Sequence, residues 1–231
     1  MVKITEETRF ELQRHRLLKA AATCFNQKGY SGTSLKDVAN HLGLTDAALY
    51  YYVKNKEELV YQCYLRGAEL GREAMDRARV EGTNGFQQAL LYIRYHVEVM
   101  VGDRGPVAIM SEIPSLKKPH RDEILQISRR HSSEFEKILT LGIVDGSIGQ
   151  CSVRMTGNAI MGAINWIPKW FHGDAETAEK VLLEFPPLLT RCLLPVSAPP
   201  QPTGDQTDGR PQSRSSASSS RRTSDSSFSM S

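Results

Sequence analysis

The 231-residue chain has no long hydrophobic run, little net charge and few cysteines. Its most apolar window, Met155 to Trp170, is shorter than the ~20 residues a membrane span needs, and Asn158, Asn165 and Pro168 interrupt it. The four cysteines, Cys24, Cys63, Cys151 and Cys192, lie far apart with no C-x-x-C pair, which excludes a dense disulfide scaffold and argues against a cysteine-rich zinc site. A formal net charge of +3 excludes a general nucleic-acid coat, so any basic surface must be local. The first residues carry Lys3, Glu6, Glu7, Arg9, Glu11, Arg14, Arg16 and Lys19, which leave no room for the apolar core of a signal peptide, and the expected location is cytoplasmic. G-x-S-x-G, H-E-x-x-H, Walker and G-x-G-x-x-G motifs are all missing, and the six histidines are scattered without metal-ligand spacing. The expectation is therefore a non-enzyme with no metal and no cofactor.

The chain is 40% hydrophobic and 24% charged, values that suit a globular protein. From Pro195 to Ser231 the composition turns to Ser and Pro with one aromatic, Phe228. Such a stretch buries too little apolar surface to offset its ordering entropy and reads as a disordered tail. Between Thr5 and Leu194 the apolar residues recur at helical spacing and no period-two run occurs, so the fold class is all-α. Helices are predicted from Leu12 to Gly29, Ser34 to Leu42, Asp46 to Tyr52, Asn55 to Arg79, Gly85 to Val101, Pro106 to Ile113, Lys118 to Val144, Ser152 to Phe171 and Ala175 to Leu193. Pro186-Pro187 is expected to bend or interrupt the last of them. The predicted organisation is a small helical domain at 1–55, a larger helical domain at 56–194, and the tail at 195–231.

The informative stretch runs from Thr33 to Leu59. Two short helices capped by Ser34 and Thr45 meet at a tight turn holding Gly43, which is the outline of a helix-turn-helix. Leu35, Val38, Ala39, Leu42 and Leu49 are predicted to face inward. Asp46, Ala47, Tyr50 and Tyr51 are predicted to face out, and small Ala47 and Ala48 let the backbone approach base edges. From Met1 to Lys56 there are nine Lys/Arg against five Asp/Glu, so positive charge concentrates here. The candidate DNA-binding residues are Thr33, Ser34, Thr45, Asp46, Ala47, Ala48, Tyr50, Tyr51, Lys54 and Lys56. Of these, Thr33, Thr45, Tyr50, Tyr51, Lys54 and Lys56 are phosphate donors and Asp46 and Ala47 lie near the bases.

Three consecutive elements carry a resemblance: F-x-x-K-G-Y-x-G-T-S (Phe25 to Ser34), D-V-A-x-x-L-G-L-T (Asp37 to Thr45) and A-L-Y-Y-Y-V-K-x-K-E-E-L (Ala48 to Leu59). Over these residues the sequence resembles the TetR family of bacterial transcription regulators. It departs from the family pattern at Val53, where Phe is usual, and at Asp46, where Gly or a small polar residue is usual. The resemblance implies an all-helical homodimer whose N-terminal domains read a palindromic double-stranded DNA operator and whose C-terminal domains bind a small-molecule inducer that releases DNA. The segment from Ala163 to Phe171 is similar to the ending of the penultimate helix in TetR-type regulators of lipid and acyl-CoA metabolism, for which Arg104, Lys117, Lys118 and Lys169 are candidate head-group contacts.

Candidate pocket residues are Tyr92, Tyr95, His96, Met100, Met110, Ile113, Phe135, Trp166 and Trp170, apolar groups with a few polar handles. Candidate interface residues are the stripes Gly157, Ile160, Met161 and Ile164, and Leu182, Phe185 and Leu189, which suit a two-chain four-helix bundle. A helical adaptor without DNA binding is the competing reading, and a small helical enzyme is a more distant one.

Overall fold

The structure is a computed structural model that describes residues 6–102, 105, 110–172 and 174–195, without the side chains of 6–8 and 110–112. The Ser/Pro-rich tail beyond Pro195, Arg104 and the side chain of Met110 lie outside the described residues. Nine α-helices and two short 3-10 turns make up the described elements, and no strand occurs among them.

α1 (Glu6–Gly32) turns at Gly29, whose φ of 71° lies in the left-handed region that glycine enters at no steric cost. α2 (Leu35–His41) opens on a reciprocal cap. The Ser34 N–H donates to Asp37 Oδ2 at 2.7 Å, and the Asp37 N–H donates to Ser34 Oγ at 3.1 Å. Gly43, at φ 65°, makes the turn into α3 (Asp46–Tyr50), where Thr45 Oγ1 accepts the Ala48 N–H at 3.2 Å. α4 (Lys56–Glu81) starts at Asn55, whose Oδ1 accepts the Glu58 N–H at 2.9 Å. Leu17, Phe25, Val38, Ala39, Leu49, Leu59 and Val60 close one hydrophobic cluster over these four helices. Ile113, Leu116 and Ile124 enter the same cluster, so its packing extends well beyond residue 55.

α5 (Gly85–Val101), α6 (Lys118–Val144), α7 (Val153–Asn165), α8 (Ile167–Trp170) and α9 (Ala175–Thr190) build a second cluster with the rest of α4, centred on Tyr92, Ile93, Phe135 and Leu139. α5 crosses α6 at Gly85, where a β-carbon would stand 2.1 Å from the Gly142 nitrogen. Asn84 caps α5, and the turn after α6 satisfies two more of its first N–H groups: Asp145 Oδ2 accepts the Gly85 N–H at 2.8 Å, and Ser147 Oγ accepts the Phe86 N–H at 3.0 Å.

Three expectations about the late helices change. The single helix from Ser152 to Phe171 is two, α7 and α8, parted at Trp166 two residues before Pro168, which has no N–H to continue the ladder. The expected interruption at Pro186-Pro187 is absent. α9 runs on to Thr190, whose hydroxyl donates to the Pro186 and Pro187 carbonyls at 3.1 and 3.2 Å. Between Met110 and Ser115 the chain forms a 3-10 turn rather than the end of an α-helix.

Candidate functional site

The short helices α2 and α3 are held from beneath. Leu49 is fully buried against Val38 and Ala39, and Leu44 closes the turn by donating its N–H to the Ala39 carbonyl at 2.9 Å. With one face of α3 fixed in this way, the other is open. Asp46 and Ala47 are exposed, and Tyr50 is 57% and Tyr51 74% exposed. Ala48 is half-buried, Thr45 is exposed as the cap, and Lys54 is exposed just beyond α3. Ser34, Asp46, Tyr50 and Lys56 line one open groove between α2 and α3. Lys56 lays its ammonium over the Tyr30 ring, 4.1 Å from the centroid. Phe10 of α1 braces the tyrosines, stacking on Tyr52 at 5.1 Å and meeting Tyr51 edge-on at 5.8 Å.

Electrostatics at α2 are set by its cap. Hydrogen bonds from Ser34, then the Lys28 ammonium 3.4 Å away, hold the Asp37 carboxyl down to about 2. That carboxylate is ionised at neutral pH, and the Lys28 ammonium offsets part of its charge.

Thr33 requires a correction. It is buried, and its hydroxyl donates inward to the Cys24 and Gly29 carbonyls at 3.1 and 2.9 Å. It ties α2 to the end of α1 and has no hydroxyl left to offer a phosphate.

A second site is a partly open cavity of about 130 Å³ between α4, α5, α6, α7 and α8. Of the predicted pocket residues, His96 and Met100 line it. Tyr92 stands at its edge, fully buried, with its hydroxyl 2.8 Å from His96 Nδ1, 2.7 Å from His131 Nε2 and 3.1 Å from Met161 Sδ. Burial pushes the Tyr92 phenol up and holds the His96 imidazole down to about 3, with His131 beside it as a smaller cause. Burial also lowers His131, helped by Arg79 and opposed by Glu134, which are paired at 2.5 Å. The cluster is neutral at physiological pH.

The other predicted pocket residues lie elsewhere. Phe135 is core behind Tyr92, with ring centroids 4.8 Å apart, and Ile113 belongs to the first cluster. Tyr95 lies under the Arg77 guanidinium, 3.9 Å from its ring centroid, and donates to Glu81 at the surface. Trp166 is 55% exposed, and Trp170 packs on Phe185 at 5.7 Å. His131, Ser128, Ser132 and Asn165 line the cavity without having been singled out from sequence. A signal existed for His131: Ile124, Ile127, His131, Phe135 and Ile138 recur at helical spacing on one face of α6.

The predicted interface stripe is also corrected. Gly157, Ile160 and Ile164 are buried inside this chain, Met161 lines the cavity, and Leu182, Phe185 and Leu189 pack on the second cluster. The apolar groups that α7 and α9 leave uncovered are Met155, Ala159, Trp166, Leu183 and Leu188. Two of the proposed head-group lysines have partners within the chain. Lys118 pairs with Asp122, and the Lys169 ammonium donates to the Asn26 carbonyl at 3.0 Å, joining α8 to α1.

A braced recognition helix on a small helical domain, continued into a longer helical body with its own cavity, defines a helix-turn-helix regulator. Residues 17–63 match the family "Bacterial regulatory proteins, tetR family", and residues 88–184 match "Tetracyclin repressor-like, C-terminal domain". The fatty acid metabolism regulator protein of Bacillus subtilis (strain 168) is 25% identical over 163 residues, covering 68% of this chain and 83% of that protein. The solved structure of the TetR family regulator PfmR from Thermus thermophilus is 30% identical at a TM-score of 0.64, covering 76% of this chain and 97% of that one. AibR, solved in complex with isovaleryl coenzyme A and operator DNA, shares the fold at a TM-score of 0.61 and 23% identity, covering 79% of this chain and 100% of that one. The chain belongs to the TetR family of transcriptional regulators. It is a regulator and not an enzyme, and no helix among the described residues is long and apolar enough to cross a membrane.

Proposed function

We propose that the protein is a ligand-responsive repressor that binds a palindromic operator as a cytoplasmic homodimer. The observation that carries this reading is the open face of α3, with Ala47 at its N-terminal end and Tyr50, Tyr51 and Lys54 around it. In this reading the two alanines approach base edges and touch thymine methyls, while Ser34, Thr45, Tyr50, Tyr51, Lys54 and Lys56 hold the backbone. Thr33 is not among them. One such reader buries little surface. Two of them about one helical turn apart, roughly 34 Å, match a two-fold site.

Exposed Met155, Ala159, Trp166, Leu183 and Leu188 support association through α7 and α9, in place of the buried stripe. The cavity at Tyr92, His96 and His131 is the proposed seat of the inducer. Lys169 links α8, beside that cavity, to α1, a route by which a ligand shifts one reading head relative to the other. The cavity's size favours a small molecule. An acyl-CoA, the ligand class suggested by AibR, enters this cavity only by its acyl end. A mobility shift with duplex DNA from upstream of the protein's own gene tests the reading. Retardation by the wild type and its loss in Ala47→Glu support it, whereas equal retardation by both contradicts it.

A further inference from the structure

The Tyr92 hydroxyl holds one proton between the buried imidazole of His96 and the half-buried one of His131. A phenol donates one hydrogen bond, and a thioether is a weak acceptor, so the proton goes to a ring nitrogen rather than to Met161. If Tyr92 donates to one histidine, that ring has a bare nitrogen facing Tyr92 and carries its own proton on the far side. The oxygen then accepts from the other histidine, whose far nitrogen is bare. The exchange of roles between the rings changes nothing in the sum: the outer nitrogens, His96 Nε2 and His131 Nδ1, always comprise one donor and one acceptor. Neither has a hydrogen-bond partner among the described residues. Both rings line the cavity, and their centroids are 6.0 Å apart at 86°.

The rest of the cavity limits what those nitrogens meet. No Lys, Arg, Asp or Glu lines it, so an ion would be buried without a counter-charge. Its volume of about 130 Å³ is close to that of an engineered apolar cavity of roughly 150 Å³ that takes up benzene. Met100, Ile124 and Met161 give the walls of a ring-sized apolar space.

We propose that this cavity binds a small uncharged hydroxyl compound with an apolar body about the size of one ring, its hydroxyl pairing with an outer imidazole nitrogen of His96 or His131. This deepens, and rests on, the proposal that the cavity is the inducer's seat. Phenol and toluene are the probes, because they match in size and differ by a hydroxyl against a methyl. Titration calorimetry of the full chain, without DNA, is expected to give phenol at least tenfold tighter binding than toluene, since the methyl leaves a polar group of the site unpaired. His131→Leu is expected to abolish that preference. Long-range proton–nitrogen NMR of the wild type gives a reading that needs no variant: because Tyr92 meets His96 at Nδ1 and His131 at Nε2, the two rings share one tautomer at pH 7, both Nε2–H or both Nδ1–H. Equal affinity for the two probes, no binding of either, or different tautomers in the two rings overturns the proposal. With DNA absent, a failure here leaves operator recognition standing, and a failure of operator binding leaves the titration result intact.

Discussion

Acid should destabilise this protein well before its carboxylates titrate. His96 is held down to about 3 by burial, against an ordinary value of 6.5, so the unfolded chain takes up this proton first as the pH falls. The stabilisation is therefore fully present above pH 6.5 and is lost progressively below it. One unit of pKa difference corresponds to about 1.4 kcal/mol, so lowering the pH from 6.5 to 5 removes about 2 kcal/mol through His96 alone. His131, also lowered by burial, adds in the same direction. Asp37, Glu57 and Glu134 have lowered values too, but their unfolded forms titrate near 3.8 to 4.5, outside this window. Urea unfolding at pH 7 and pH 5 measures the loss. In His96→Asn, which keeps an amide opposite Tyr92, the loss shrinks by about 2 kcal/mol even if the variant is weaker at both pH values. Parallel pH–stability curves for the wild type and His96→Asn would refute the reasoning.

Other perturbations separate packing from recognition. Gly85→Ala forces a methyl to within 2.1 Å of the Gly142 backbone and should cost about 1–3 kcal/mol, seen as a lower melting temperature. Thr33→Val removes the hydroxyl that ties α1 to α2 and should cost about 1 kcal/mol, while DNA affinity of the folded protein stays the same; a salt-dependent loss of affinity would restore Thr33 as a phosphate contact. Lys54→Ala should weaken binding to all duplex sequences alike and reduce the salt slope by about one, as read from fluorescence anisotropy across a salt series.

The reading head is legible in the sequence because its determinants are local. Ser34, Thr45 and Asn55 each start a helix by accepting the N–H three residues ahead, and Gly43 marks the turn between two of them. Thr33 misleads because a threonine beside a cap looks the same whether its hydroxyl faces water or the Cys24 carbonyl; only the fold of α1 back over it decides. α7 misleads for a different reason. It is apolar on two faces, Gly157–Ile160–Ile164 and Met155–Ala159–Trp166, and periodicity cannot say which of two apolar stripes turns inward. His131 is hidden by its neighbours, since Arg129, Arg130, Ser132 and Ser133 give the stretch a surface composition while the helical phase carries the ring inside.

Selection of binding sites from random duplex DNA by the full chain tests the central claim most directly. The account predicts an inverted repeat whose half-sites lie a whole number of helical turns apart, and loss of the enrichment in Ala47→Glu. An unrepeated sequence, or no enrichment at all from the wild type, would contradict it.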